Sequence, residues 1–116
     1  GNNLESWFHE LSFIYLITLI KRRNIPTIPA DFYQDAGRKA QYQKILYRSI
    51  IEGVEQSLSK NKDKFVMARV EDGKSIKDVE ILRDSFKTNL ETVLDYYEQH
   101  EEYELCSRTL NLINQI

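Results

Sequence analysis

The sequence predicts an all-α fold, a single domain built as a bundle of four or five helices. Apolar residues recur at steps of three and four through most of the 116 residues, as on the buried face of a helix. Both prolines stand in one short stretch, and one ten-residue run is apolar on nearly every side. A chain of this length fits one domain over residues 1–116. Its leading Gly1 is typical of a cleavage scar, so a longer parent chain is one expectation.

The first helix is expected from about Leu4 to Arg23. Its second half, LSFIYLITLI over residues 11–20, is apolar on all sides, which predicts burial at the centre of the bundle or at an oligomer interface. Ten residues are half of the roughly 20 that a helix needs to cross a bilayer. The basic residues follow this run, whereas a signal peptide carries them in front. We therefore expect a cytoplasmic protein with no membrane span.

The second long helix is expected from about Arg38 to Ser59, after a connector over residues 24–31 that contains both prolines. A short helical turn is expected over residues 31–35, between the connector and this helix. Gly53 lies inside the helix, where glycine costs about 1 kcal/mol relative to alanine. Such a glycine often permits the close approach of another helix.

Residues 65–77 have two interpretations. Val and Phe in FVMARV favour a strand, and Asp72-Gly73 is a hairpin turn signal. The return strand is not supported, because Ile76, Val79 and Leu82 are spaced by three. We favour a short helix that ends at Gly73, and a mostly α chain with one small β-hairpin near 65–77 is the alternative.

Two further helices complete the bundle. The third is expected from Ile76 to about Gln99 and the last from about Glu101 to Ile116. The apolar stripe of the third runs through Val79, Leu82, Phe86, Leu90, Val93 and Tyr97. The stripe of the last consists of Tyr103, Cys106, Leu110 and Ile113, and Leu105, Leu112 and Ile116 broaden this face.

Few residues suit catalysis or metal binding. The chain has two His and one Cys, and its glycines are isolated, so it contains neither a phosphate-binding loop nor a dinucleotide fingerprint. Cys106 lies on an apolar stripe among carboxylates, where a free cysteine packs as a small hydrophobe. We expect no enzyme activity, no cofactor, no metal and no catalytic residue.

A non-enzymatic helical protein–protein interaction module is the leading hypothesis for function. A domain of this size buries only about two thirds of its unfolded surface, and a remaining apolar patch usually marks a contact. The candidate partner-binding residues are Trp7 and Phe8, at the start of the first helix. The partner is expected to be another protein or a second copy, as in a homodimer. The alternative is that the first helix is central in a monomer.

The second hypothesis is a small nucleic-acid-binding regulatory protein. It would use basic residues of the first two long helices, with neighbouring aromatic side chains stacking on bases. The net charge of −2 weighs against it. The candidate residues are Lys21, Arg22, Arg23, Arg38, Lys39, Lys44 and Arg48.

Overall fold

A computed structural model describes residues 23–116 of the chain. The expected first helix up to residue 22, with Trp7, Phe8, Lys21 and Arg22, lies outside the described residues. The described elements are β1 (Thr27–Pro29), α1 (Ala36–Lys60), β2 (Lys64–Asp72), β3 (Ser75–Leu82), α2 (Phe86–Gln99) and α3 (Tyr103–Asn114). Short 3₁₀ turns occur at Phe32–Gln34 and Arg83–Ser85.

This mixture of three helices and a three-stranded sheet shows that the predicted all-α bundle is wrong. The strand order is β1-β2-β3, with β1 parallel to β2 and β2 antiparallel to β3. The alternative, one small hairpin near 65–77, understates the strands. The hairpin runs from residue 64 to residue 82, and β1 adds a third strand from the segment that was predicted as a connector. Pro29 is tolerated because β1 is an edge strand.

The helix predicted from Ile76 is in fact a strand followed by a helix. Side chains of a strand alternate between its two faces, so residues three apart point to opposite faces. Val79 lies opposite the fully buried Ala68, whereas Ile76 and Leu82 are exposed. The spacing of three between Ile76, Val79 and Leu82 is therefore not a sign of a helical stripe, because these residues lie on a strand. Gly73, with a φ of 62°, provides the tight turn that joins the strands.

The second predicted helix is confirmed as α1, with ends within two residues of the expected ones. The Asp35 carboxylate caps its first turn by accepting a hydrogen bond from the Gly37 N–H at 2.7 Å. The chain leaves the helix through Asn61, which is left-handed. Gly53 faces Phe65 of β2, so the close approach at this glycine is made by a strand and not by the expected helix.

The core lies between the three helices and one face of the sheet. Four residues of the predicted third stripe, all on α2, are buried as expected: Phe86, Leu90, Val93 and Tyr97. They pack with Ile50, Ile51 and Val54 of α1 and with Leu112 of α3. Over residues 23–116, no helix combines the length and the hydropathy needed to cross a membrane.

Candidate interaction surface

One face of the hairpin points away from the core, and we call it the outer face. Phe65 and Ile81 are paired and pack against the core, so the even-numbered residues of β3 point the other way. Ile76 and Leu82 on this outer face are 62% and 55% exposed. Two large aliphatic side chains therefore face solvent at opposite ends of one strand.

Between these two residues, the outer face carries ion pairs. Lys64 Nζ lies 3.2 Å from Glu80 Oε2, and Arg69 Nε lies 3.5 Å from Asp78 Oδ1. Each pair joins β2 to β3. All four side chains are largely exposed, so each pair contributes at most about 1 kcal/mol to stability. Asp78 and Glu80, the acidic side chains of β3, therefore already have basic partners on the same sheet.

The side of β3 away from β2 is the open edge of the sheet, because among the described residues no strand pairs with it there. The Arg83 N–H donates to the Asp63 carbonyl at 2.7 Å. The backbone N–H and C=O groups of odd-numbered residues along β3 therefore point toward β2. Alternation along the ladder then turns the backbone N–H and C=O groups of Ile76, Asp78, Glu80 and Leu82 to the open edge. Such a row of unpaired groups is a template for another strand.

A second exposed apolar feature lies on α3. The predicted stripe of this helix is only partly buried, since Tyr103 is 72% and Leu110 is 49% exposed. Leu112, at the edge of the predicted face, is buried as expected, and the polar Thr109 is buried as well. Cys106, also on this stripe, is half-buried, and burial, followed by the charges of Glu98 and Glu102, raises the pKa of its thiol.

Five basic residues of the nucleic-acid hypothesis lie among the described residues: Arg23, Arg38, Lys39, Lys44 and Arg48. Arg38 lies 3.5 Å from the Asp31 carboxylate in an exposed ion pair. Lys39, Lys44 and Arg48 are exposed on α1. Arg23 has a structural role, described next. Nucleic-acid binding stays a prediction, and none of these contacts adds support to it.

Arg23 stabilises an irregular point of the sheet. The pairing of β2 with β3 shifts between Val66 and Ala68, so the ladder is broken there by a bulge. The Arg23 guanidinium donates to the Val66 carbonyl and, at 2.7 Å, to Ser49 Oγ. Ser49 Oγ in turn donates to the Met67 carbonyl at 2.6 Å. Both carbonyls of the bulge are therefore bound by side chains.

The environment of Arg23 fits this buried role. Its guanidinium lies 5.3 Å from the centroid of the Phe65 ring, a cation–π contact. Burial lowers the pKa of Arg23, and the charge of Glu52 opposes this shift. An arginine held in this way is occupied by the fold rather than free for a phosphate.

A shallow groove of about 270 Å³ separates the ends of α1 and α3. Glu55 and Arg108 form its charged wall. The Nε–H of Arg108 donates to Glu55 Oε2 at 2.8 Å. The hydrogen bond to Glu55 raises the pKa of Arg108. Since the two charges satisfy each other, the groove offers no unpaired charge to a ligand.

Metal-binding geometry is not seen in the described part of the chain. No group of three His, Cys, Asp or Glu side chains within residues 23–116 could hold a metal ion. His100 stacks on the Tyr96 ring, and its Nδ1 lies 2.8 Å from the Tyr96 carbonyl. These contacts fix the imidazole at the end of α2.

Comparison with protein-family models, curated proteins and solved structures finds no match to this chain. The function of the chain must therefore be inferred from the surfaces described above.

The open edge of β3 is the feature that sequence reasoning missed. The signal was present in Asp72-Gly73, followed by a short alternation of charged and apolar residues from Asp78 to Ile81. Alternation with period two predicts a strand with one solvated face. The competing step of three from Ile76 to Val79 and Leu82 concealed it.

Proposed function

We propose that this chain is a non-enzymatic protein–protein interaction module that self-associates, in a cytoplasmic setting. The observation that carries the proposal is the hairpin, where exposed Ile76 and Leu82 flank an open strand edge. Exposed strand edges pair readily with other chains, and natural proteins usually block them. Here the edge strand is eight residues long, which is long enough to pair along its length.

Burial of the two aliphatic side chains supplies the driving force. Each is more than half exposed, and a fully buried Leu or Ile side chain contributes about 1.5–3 kcal/mol. Backbone hydrogen bonds along the edge then fix the geometry of the contact. The ion pairs beside them limit the repulsion that acidic strands would otherwise produce.

The test is the mass of the full chain as a function of concentration, by sedimentation equilibrium. We expect the mass to rise from 13.8 kDa toward a multiple of this value. The double variant Ile76→Lys, Leu82→Lys should remain a monomer with an unchanged circular dichroism spectrum. Tyr33→Lys is the matched control, because Tyr33 is also 62% exposed but lies outside the hairpin.

A wild-type chain that stays at 13.8 kDa at every concentration would refute the proposed function. If the double variant associates as strongly as the wild type, the hairpin is not the surface of contact. Equal loss in the Tyr33→Lys control would show that any added charge prevents association, which also contradicts the proposal.

A further inference from the structure

We propose that β3 pairs antiparallel with β3 of a second copy of this chain, about a two-fold axis that passes beside Val79. The inference rests on the proposed function and specifies its partner and its geometry. The result is one continuous six-stranded sheet made from two three-stranded sheets. A two-fold contact of this kind closes on itself, so it gives a dimer and not a fibre.

The direction of the backbone groups sets the first constraint. Ile76, Asp78, Glu80 and Leu82 present their N–H and C=O groups at the open edge, as the Arg83–Asp63 hydrogen bond shows. In an antiparallel pair, opposing side chains lie on the same face of the sheet. A continuous outer face therefore requires even-numbered residues to oppose even-numbered residues.

The positions of the apolar side chains set the second constraint. When Val79 lies opposite its own copy, Ile76 lies opposite Leu82 of the second copy, and the same contact recurs at the other end of the strand. The two residues with large exposed side chains on the outer face thus bury each other twice. A shift of two residues in either direction breaks both contacts.

The charges on the outer face are a cost that this register must offset. Asp78 lies opposite Glu80 of the second copy at two places, and like charges directly opposite each other are unfavourable. Both carboxylates have basic partners within their own sheet, Arg69 at 3.5 Å and Lys64 at 3.2 Å. Four basic groups therefore flank the four carboxylates that meet at this contact.

Disulfide trapping tests the register directly. Residues opposite each other in a non-hydrogen-bonded antiparallel pair have Cα atoms about 4.5 Å apart, within the range of about 4.4–6.8 Å that a disulfide spans. Residue 79 occupies such a pair with its own copy in the proposed register. Single cysteines at residues 78, 79 and 80 are introduced into the full chain in a Cys106→Ser background.

Under mild oxidation, we expect Val79→Cys to form a covalent dimer and Asp78→Cys and Glu80→Cys to remain mainly monomeric. A preference for residue 78 or 80 would overturn the register. Trapping at none of the three, in samples that sedimentation shows to be associated, would overturn β3 pairing while the proposed function stands. Samples that do not associate at all would refute both.

Discussion

The Phe65 ring on β2 lies directly against the backbone of Gly53 on α1. A Cβ atom placed at residue 53 would overlap Cδ2 of the ring. This ring also packs 5.4 Å, centroid to centroid, from the Phe86 ring at the start of α2. Gly53 therefore allows a strand and two helices to meet around one aromatic side chain.

Gly53→Ala is expected to destabilise the protein, although alanine favours helix. The added methyl group overlaps the Phe65 ring, and overpacking of a core typically costs about 1–3 kcal/mol. That cost exceeds the roughly 1 kcal/mol that alanine gains in helix propensity. Urea unfolding, followed by circular dichroism, measures the change in the free energy of unfolding.

The control for this prediction is the same substitution in a Phe65→Ala background. With the ring removed, Gly53→Ala should stabilise the helix by about 1 kcal/mol, since only the propensity remains. An equal loss of stability in both backgrounds would show that the ring contact is not the cause.

Arg23→Met is expected to lower the free energy of unfolding by about 1–3 kcal/mol, because the Val66 carbonyl at the bulge loses its donor. The matched control is Arg38→Met, which removes an exposed ion pair and should change stability by at most about 0.5 kcal/mol. If both substitutions lower the free energy of unfolding in urea by the same amount, Arg23 does not stabilise the bulge.

High pH is expected to destabilise the core through Tyr97. Burial is the main cause that raises the pKa of the Tyr97 phenol above its ordinary value of 10.0. The native state thus keeps its proton at pH values where the unfolded chain has lost it. This contribution to stability is complete below about pH 10 and is lost as the pH rises through the native pKa.

Urea unfolding at a series of pH values around and above about pH 10 measures this effect. The fall in stability should be smaller in Tyr97→Phe, whereas Tyr33→Phe, at an exposed position, should follow the wild type. A fall of the same size in Tyr97→Phe would assign the pH dependence to other groups.

The thiol of Cys106 is expected to react slowly with iodoacetamide near neutral pH. Its raised pKa, caused by burial and by Glu98 and Glu102, reduces the fraction of thiolate. Glu102→Gln should increase the reaction rate, and Glu91→Gln, at an exposed position on α2, is the control. A rate insensitive to Glu102 would contradict the electrostatic part of this account.

The contribution of Trp7 and Phe8 stays a prediction, because both residues lie outside the described residues. Changing either to alanine is expected to weaken association while helical content is retained. Sedimentation and circular dichroism of the full chain measure the two quantities. Unfolding of the monomer would instead identify these residues as part of the core.

Burial was predicted correctly where the apolar stripe in the sequence coincides with the face of the helix that packs on the core. The residues from Phe86 to Tyr97 satisfy this condition, and their burial is confirmed. On α3 the predicted stripe is displaced, since the buried Thr109 is polar and the exposed Tyr103 and Leu110 are apolar. Composition alone cannot identify a threonine whose hydroxyl donates to the Leu105 carbonyl at 2.6 Å.

The sheet was missed because its strands depend on contacts between distant residues. β1 has three residues, ends in Pro29 and directly follows Pro26, so its local preference is for a loop. It becomes a strand through pairing with Arg69 to Glu71, some 40 residues later in the chain. The bulge similarly depends on Arg23 and Ser49, which no local pattern connects to β2.

Amide hydrogen exchange of β3 as a function of protein concentration tests the central claim most directly. The amides of Ile81 and Arg83 point into the sheet and should be protected at every concentration. Those of Ile76, Asp78 and Glu80 should exchange rapidly in dilute samples and become protected in concentrated ones. Rapid exchange of these three amides at all concentrations would contradict pairing at the open edge.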